Sequence, residues 1–422
     1  MSWPLPPFLW GVATSSYQIE GGITNNDWAD WEKLPGTIRD GAVAGEASGS
    51  WAHWSRDLDR VQSLGLNAYR FSLEWSRIEP EEGRFDATAL AKYRAILTGC
   101  RERGITPVLT LHHFTNPRWF LARGGWEDRA NLALFERYVR LAGEHYGDLV
   151  DVWITINEPE VYGFYAYDAG LFPPGLKDRL RALRVIANLL EAHGVASQAL
   201  RETDRIDADG DGHATLVGAA KHWVLLEPRN RWSPLDRIAA VAQERVFDVA
   251  VARALSGGMI DLWIPGVPAV KRRVDALQGA SDFLGVNYYT RWQVGFGGDG
   301  PLSARPGVPK SDLGWEILPE GLETALRACM RFGIPLMVTE NGIADGADRW
   351  RPDFIRASLA ALDRARAAGA DVRGYFHWSL MDNFEWHDAY EGKFGLFARD
   401  EAGVTGERPS AEVYAQEVAR RR

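Results

Sequence analysis

The amino-acid sequence predicts an α/β protein: a single (β/α)8 or TIM barrel domain over residues 1–422, with its functional site at the C-terminal ends of the strands. Eight short runs rich in apolar and β-branched residues alternate strictly with helical patterns, which favours a closed barrel over an open sheet. Most of these runs are almost continuously apolar, as is typical of parallel strands covered on both faces. No G-x-G-x-x-G motif follows a strand, which argues against a dinucleotide-binding fold.

The predicted strands and helices follow one another from the N-terminus onward. The strands begin at Phe8, Asn67, Thr106, Val150, Thr215, Asp282, Pro335 and Val372. Trp51, Leu58 and Val61 share one face of the first helix, and Asp86 is the expected N-cap of the second. The remaining helices are predicted to begin near Phe135, Leu180, Leu235, Leu322, Phe354 and Ala411. Eight strand–helix pairs are the number that a closed barrel of this kind requires.

Composition and charge exclude several classes of protein. Hydrophobic residues make up 46% of the chain, enough for a large core, and no apolar run reaches the roughly 18 residues of a membrane span. The net charge of −9 comes from interspersed charges, whereas a nucleic-acid-binding surface needs a basic stripe. The N-terminal segment MSWPLPPFLWG lacks the basic and long apolar regions of a signal peptide, so we expect a cytoplasmic protein. Cys100 and Cys329 lie on apolar helix faces and are expected to be buried thiols outside any disulfide or metal site.

Polar residues of unusual type occur at the predicted ends of seven of the eight strands. The chemistry of barrel enzymes takes place at the carboxyl ends of the strands, so we expect these side chains to meet at one rim. They are Gln18, Arg70, His112, His113, Asn157, Glu158, Asn287, Tyr289, Glu340, Asn341 and the segment from Trp378 to Trp386. This convergence predicts an active site.

Glu158 and Glu340 each end an apolar strand and therefore lie beside the dry barrel interior. Cleaving an acetal requires a proton for the leaving oxygen and an anion to meet an oxocarbenium-like centre, and two carboxyl groups supply both. Carboxyls about 5–5.5 Å apart give retention of configuration, whereas carboxyls roughly 6.5–9.5 Å apart leave room for water and give inversion. The sequence leaves this separation open.

Six segments carry a resemblance to a known family. They read FLWGVATSSYQIEG, YRFSLEWSRI, TINEPEVYGFYAY, DFLGVNYYT, VTENGIAD and GYFHWSLMDNFEW, and they extend from residue 8 to about residue 397. In this combination they closely resemble glycoside hydrolase family 1, the β-glucosidase family. The resemblance implies a retaining β-glycosidase without a cofactor, chiefly a β-glucosidase that acts on terminal, non-reducing β-D-glucosyl residues by double displacement.

The resemblance also implies a role for each site residue. Glu158 would be the general acid/base, with a pKa raised by burial and by the second carboxyl, and Glu340 the nucleophile that forms a glycosyl–enzyme intermediate. Arg70 and Tyr289 would hold Glu340 ionised and oriented, with Asn287 nearby. The residues expected to bind the sugar are Gln18, His113, Asn157, Trp378, Glu385 and Trp386. Trp315 and Phe394 match positions on the aglycone side.

One segment departs from the family pattern. The family reads His-Trp-Asp-Leu-Pro after the third strand, where this chain has His113-Phe114-Thr115-Asn116-Pro117. Phe114 has no N–H to donate, so we expect tolerance for galactosides, fucosides or mannosides. Glu385 carries a charge that would repel a phosphate, which disfavours 6-phosphosugars.

Two other functions and one motif stay open at this point. A glycan-binding module would gain nothing from two carboxyls within charge-repulsion distance, and a transglycosylase would share every catalytic residue. The expected partner is a small glycoside or short oligosaccharide, with neither nucleic acid nor membrane, and the oligomeric state is undetermined.

The segment from Asp207 to Gly212, with Asp209 and Asp211, resembles the start of a calcium loop, but Gly218 stands where the loop needs Glu. A polar turn is the favoured interpretation, and a surface cation site the alternative.

Overall fold

A closed barrel of eight parallel strands forms the centre of the protein. The computed structural model describes residues 7–296, 304–400 and 403–422; most of the N-terminal segment inspected for a signal peptide, residues 1–6, lies outside them. The barrel strands are β1 Leu9–Ala13, β2 Ala68–Ser72, β3 Thr106–His112, β4 Val152–Asn157, β5 Leu216–His222, β6 Phe283–Tyr288, β7 Leu336–Asn341 and β8 Val372–Trp378. Each strand pairs with its neighbours in chain order, and β1 closes the barrel on β8. The predicted fold class is therefore confirmed.

Helices cover the outside of the barrel. The longer ones are Ser50–Ser63, Ala87–Glu102, Leu132–Tyr146, Arg179–Thr203, Pro234–Glu244, Ala250–Gly257, Gly321–Cys329, Arg351–Ala367 and Pro409–Ala419. Each of the eight predicted helices is present. Asp86 caps its helix as predicted, because its carboxylate accepts the backbone N–H groups of Thr88 and Ala89.

Short elements decorate the loops. Short α-helices occupy Ser16–Ile19, Asp27–Trp31, Trp75–Ile78, Arg118–Ala122 and Pro159–Phe164, all in the loops that follow β1 to β4. Two π-helical turns lie at Tyr165–Ala169 and Arg245–Val249. Small two-stranded sheets pair Leu225–Pro228 with Arg291–Val294, Met259–Leu262 with Val270–Arg273, and Phe397–Asp400 with Gly403–Glu407.

Apolar side chains fill the barrel. One buried cluster draws at least one residue from every strand: Leu9, Ala68, Val108, Val152, Leu216, Phe283, Met337 and Phe376. Because only the lumen brings all eight strands together, this cluster is the packed barrel interior. Gly218 makes room for Phe283, since a Cβ at this glycine would lie 2.5 Å from the phenyl ring. The dry interior forms the base on which the site at the strand ends is built.

The two cysteines are buried in the packing around the barrel. Cys100 and Cys329 are free thiols, as predicted, and burial raises the pKa of Cys100 to about 12. Both are therefore unreactive thiols at neutral pH. Every helix in the described part of the chain is too short or too polar to cross a lipid bilayer.

Candidate active site

Two buried carboxyl groups face one cavity at the C-terminal mouth of the barrel. Glu158 directly follows β4, and Glu340 is the penultimate residue of β7. The two residues are 6% and 4% exposed, and both line the same cavity. The structure thus brings together two side chains that are far apart in the sequence.

Glu340 is held by two donors. Nη1 of Arg70 lies 2.6 Å from Oε1 of Glu340, and the hydroxyl of Tyr289 donates to Oε2 at 2.6 Å. Arg70 comes from β2 and is fully buried, so its charge is poorly screened by solvent. A charge-assisted hydrogen bond on each oxygen orients the carboxylate and favours its ionised form.

Two amide side chains connect this ion pair to the second carboxyl. Oδ1 of Asn157 accepts from Nη2 of Arg70 at 2.6 Å and from Nδ2 of Asn287 at 3.2 Å. Nδ2 of Asn287 also donates to Oε1 of Glu158 at 2.7 Å. The hydrogen-bond network therefore extends from Glu340 to Glu158 across the mouth of the barrel.

His113 lines the cavity and has one buried ring nitrogen without a hydrogen-bond partner in the described residues. Its Nε2 lies 3.2 Å from the amide nitrogen of Asn157, whose oxygen is occupied as an acceptor, so the amide donates and Nε2 accepts. Burial, with the nearby Arg70 charge, lowers the pKa of His113 well below its usual range. The ring is therefore neutral with its proton on Nδ1, and Nδ1 has no hydrogen-bond partner in the described residues.

Glu385 presents a third carboxyl to the same cavity. The buried amide of Gln18 donates to Oε2 of Glu385 at 3.3 Å, and the indole of Trp378 also hydrogen-bonds this carboxyl. Burial raises the pKa of Glu385 well above its usual range, and the charges of Asp388 and Glu340 add to this effect. Gln18 is fully buried behind Glu385, so direct contact with a sugar remains a prediction for Gln18.

Aromatic rings form the cavity wall. Trp378 and Trp386 each lie nearly parallel to the His113 ring, at centroid distances of 6.1 Å. Trp315 and Phe394 are 6.0 Å apart and both pack on Tyr289. The cavity is also lined by Phe114, Val161, Tyr165, Leu171, Phe172, His222, Thr290, Trp292, His387 and Asp388, which the sequence analysis did not select as binding residues. Sugar C–H faces pack on such rings, while hydroxyls need the polar groups between them.

His222 is the site residue whose absence from the sequence prediction matters most. It is the last residue of β5, and its Nδ1 lies 3.3 Å from Oε1 of Glu158. Polar residues at the ends of seven strands were assigned to the rim, and β5 is the strand that was left out. The same rule, applied to β5, predicts that this histidine lies at the rim.

The two opposed carboxyls titrate as a pair. Burial and the charge of Glu158 outweigh Arg70 and raise the pKa of Glu340 to about 7. Burial acts in the same direction on Glu158, but the hydrogen bond and charge of His222, with the hydrogen bond from Asn287, lower its pKa below the usual range. A raised pKa at Glu158 remains a prediction, because the two carboxyls share one titration. The proton that is lost near pH 7 belongs to the pair.

Several cavity residues adopt the left-handed backbone conformation that favours glycine. The φ angles are 70° at Phe114, 45° at Glu158 and 52° at Trp386. Such strain costs on the order of 1–3 kcal/mol per residue and persists where the surrounding structure enforces it. These conformations fix the directions in which the three side chains leave the rim.

The aspartate-rich segment after the long helix Arg179–Thr203 forms a polar turn. Oδ1 of Asp207 accepts the N–H of Gly210 at 2.7 Å, and Oδ2 accepts the N–H of Gly212 at 2.9 Å. Asp151 and Asp209 lie close enough to form a three-carboxylate group with Asp207. Because the oxygens of Asp207 already accept backbone N–H groups, the turn is closed without a cation.

We therefore expect calcium to leave the melting temperature unchanged. The measurement is thermal unfolding with and without millimolar calcium, with EDTA as the reference. Asp207→Ala should lower the melting temperature in both conditions, because it removes the acceptor that closes the turn. A calcium-dependent rise that Asp207→Ala abolishes would instead support the cation site.

The fold and the site define the class of protein. Two buried carboxyls, one of them ion-paired with arginine, share an aromatic-walled cavity at the mouth of a (β/α)8 barrel. This arrangement is typical of a glycoside hydrolase. The chain belongs to glycosyl hydrolase family 1, whose family model matches residues 3–421. Enzymes of this family are retaining β-glycosidases, so the chain is a β-glycosidase.

Individual relatives agree with this assignment. The chain is 33% identical over 417 residues to beta-glucosidase A of Thermotoga maritima, covering 92% of this chain and 91% of that protein. It is 31% identical over 473 residues to a beta-galactosidase of Pyrococcus woesei, with coverages of 92% and 91%. The solved structure of a beta-glycosidase from Pyrococcus horikoshii has a TM-score of 0.87 and 36% identity, over 99% of this chain and 95% of that one. The Thermotoga maritima beta-glucosidase in complex with glucoimidazole has a TM-score of 0.88 and 30% identity, over 98% of each chain.

Proposed function

We propose that Glu340 is the nucleophile and Glu158 the acid/base of this retaining β-glycosidase. The expected principal substrates are aryl or alkyl β-glucosides and short oligosaccharides with a terminal, non-reducing β-D-glucosyl residue. Galactosides and fucosides are expected as secondary substrates. The observation that carries the proposal is that the two carboxyls at the cavity have different hydrogen-bond partners. Glu340 is held by Arg70 and Tyr289, whereas the neighbours of Glu158 are the amide of Asn287 and the imidazole of His222.

The first chemical step needs Glu340 as a carboxylate and the proton of the carboxyl pair on Glu158. The carboxylate of Glu340 attacks the anomeric carbon while Glu158 gives its proton to the glycosidic oxygen. The bond between the anomeric carbon and the glycosidic oxygen breaks, an ester to Glu340 forms, and the aglycone leaves as the alcohol. One proton suffices, because the acid must carry it and the nucleophile must be without it.

The second step reverses the roles. A water molecule gives a proton to the Glu158 carboxylate and attacks the anomeric carbon, and the bond to Glu340 breaks. The sugar leaves with its original β configuration. Asn157, held by Arg70 and Asn287, is the proposed donor to the 2-hydroxyl, a contact that strengthens as positive charge develops at the anomeric carbon.

The stereochemistry of the first product tests this mechanism. Anomeric proton signals of the released sugar, followed by NMR from the start of hydrolysis of a nitrophenyl β-glucoside, should show the β-anomer before mutarotation produces the α-anomer. An α-anomer formed first would mean direct attack by water and would refute the nucleophilic role of Glu340. This readout is independent of how fast the enzyme works.

Phe114 is the proposed reason for broad glycone tolerance. It is buried at the cavity wall, its ring centroid lies 5.3 Å from that of Trp386, and its side chain has no N–H to donate. We expect kcat/KM for β-glucosides to exceed that for β-galactosides and β-fucosides by less than about 10³-fold. Phe114→Trp should increase the discrimination, because it adds an indole donor at the wall. Side-by-side kinetics on nitrophenyl glycosides provide the measurement, and a larger wild-type preference for glucose would contradict the prediction.

The sugar-like ligands of related structures support a small-molecule substrate. The Thermotoga maritima enzyme has been solved with glucoimidazole, with galacto-hydroximolactam and with castanospermine. We propose that the cavity of this chain accepts a terminal sugar in the same way, with the aglycone towards Trp315 and Phe394. Cytoplasmic location and a single domain over residues 1–422 remain predictions.

A further inference from the structure

His222 stands between the acid/base and a buried charge cluster. Its Nδ1 is 3.3 Å from Oε1 of Glu158, and its side chain is 12% exposed. The ring is stacked on Tyr289 at 5.9 Å and on Trp292 at 6.1 Å, and it packs edge-on against Phe247 at 6.0 Å. These three rings fix the plane of the imidazole, so its orientation towards Glu158 does not depend on a bound substrate.

Carboxyl groups outnumber cations around this imidazole. The helix after β4 contributes Glu158 and Glu160, and the turn Arg245–Val249 contributes Asp248. From its own strand, Lys221 faces the same region, with Nζ 3.3 Å from Glu160 and 2.6 Å from Asp248. From β6 and the residue after it, the neighbouring titratable group is the Tyr289 hydroxyl, which donates to Glu340.

The excess of carboxyls favours the charged form of the ring. Burial opposes it and Lys221 repels it, but the hydrogen bond and charge of Glu158, with the charge of Glu160, raise the pKa of His222 above its usual range. Opposite charges at this separation in a poorly solvated site stabilise each other strongly. The 3.3 Å contact between Nδ1 of His222 and Oε1 of Glu158, together with this excess of carboxyls, favours an ion pair at the rim.

We propose that His222 is a positioning residue that controls the acidity of the acid/base: its imidazolium, hydrogen-bonded to Oε1 of Glu158, orients this carboxyl and stabilises its ionised form. The inference rests on the proposed role of Glu158. When Glu158 gives its proton to the glycosidic oxygen, the new carboxylate charge is met by the imidazolium, which keeps its own proton. His222 thereby makes Glu158 a stronger acid in the first step, and it keeps Glu158 ionised to accept a proton from water at lower pH in the second.

The pH profile of kcat/KM tests this control. Above pH about 7 the wild-type enzyme loses the proton of the carboxyl pair, which produces the alkaline limb. His222→Asn and His222→Phe both remove the positive charge, so the alkaline limb should move to higher pH by about one unit in each. His193→Asn is the matched control, because it removes a buried imidazole on the outer helix Arg179–Thr203, outside the residues that line the cavity, and its alkaline limb should stay in place.

Two outcomes separate this inference from simpler explanations. Both histidine variants could have a lower kcat/KM while the pH of the alkaline limb stays within about 0.2 units of the wild-type value. In that case His222 only packs the cavity wall, and the inference is overturned. If only His222→Phe shifts the limb, the neutral hydrogen bond is responsible and the charge is not, which also overturns it.

A titration that needs no catalysis distinguishes this inference from the proposed function. The imidazole of His222 is followed by NMR against pH in the wild-type protein and in Glu158→Gln, with His222→Asn to assign the signal. Loss of the carboxylate should lower the pKa of His222 by about one unit or more. An unchanged pKa would refute the ion pair, even in a protein that hydrolyses β-glycosides as proposed. A lowered pKa in a protein without hydrolytic activity would refute the function and leave the ion pair established.

Discussion

Glu340→Gly is expected to lower kcat for aryl β-glucosides by on the order of 10⁶-fold, as for the loss of a nucleophile that acts as part of a unit. Without the carboxylate, no ester to the enzyme can form, and the cationic centre loses the anion that Arg70 and Tyr289 orient. The measurement is the steady-state rate on a nitrophenyl β-glucoside, with circular dichroism and the melting temperature to show that the variant is folded.

Azide identifies the function of the missing group. In Glu340→Gly the space left by the side chain admits azide on the face that the nucleophile occupied, so the product should be an α-glycosyl azide. Glu191→Gln is the matched control. Glu191 is about as buried as the two cavity carboxyls, but it lies on the outer helix Arg179–Thr203 and bonds Arg129. This control should keep its activity. Wild-type rates in Glu340→Gly, or azide rescue that gives the β-glycosyl azide, would refute the assignment.

Glu158→Ala should reduce kcat/KM by roughly 10²–10⁴-fold for alkyl glucosides, whose leaving oxygen needs a proton, as is typical for loss of a general acid. Aryl glucosides with a nitro group need less help in the first step and should lose less. The measurement is a comparison of leaving groups with increasing pKa, because the deficit should grow with the basicity of the leaving group.

The second step supplies an independent check on Glu158. With the aglycone released and Glu340 esterified, azide can attack from the face left open by Glu158→Ala, and the product should be a β-glycosyl azide. The pH profile of kcat/KM should also lose its alkaline limb, because the variant lacks the acid whose deprotonation produces this limb. A uniform loss across all leaving groups, with the limb intact, would contradict the acid/base role.

The sequence alone was sufficient to predict the architecture. Runs of apolar residues separated by helical patterns depend on local periodicity, and the eight strands and their order follow from that pattern and from the short connections of a barrel. Because barrel chemistry takes place at the strand ends, Arg70, Glu158 and Glu340 were expected at one end of the barrel. The structure brings the two carboxyls to one cavity and bonds the buried Arg70 to Glu340. Even the Asp86 cap was recognisable, because a capping residue acts within a single turn of helix.

Other properties depend on pairs of residues that are distant in the chain. Arg70 and Glu340 are separated by 270 positions, and Asn287 and Glu158 by 129, so their distances become defined only when the barrel closes. The structure places His222, a residue from a strand without a recognised motif, 3.3 Å from Glu158, where its hydrogen bond opposes the effect of burial on the pKa of this carboxyl.

The amino-acid sequence by itself therefore determined the barrel fold, the family and the choice of the two candidate carboxyls, because each of these follows from local patterns and motifs. Only the tertiary structure decided which neighbours surround each carboxyl and therefore control its protonation. Protonation depends on the sum of burial, charge and hydrogen bonding at each atom, and that sum comes from all the elements that meet at the mouth of the barrel.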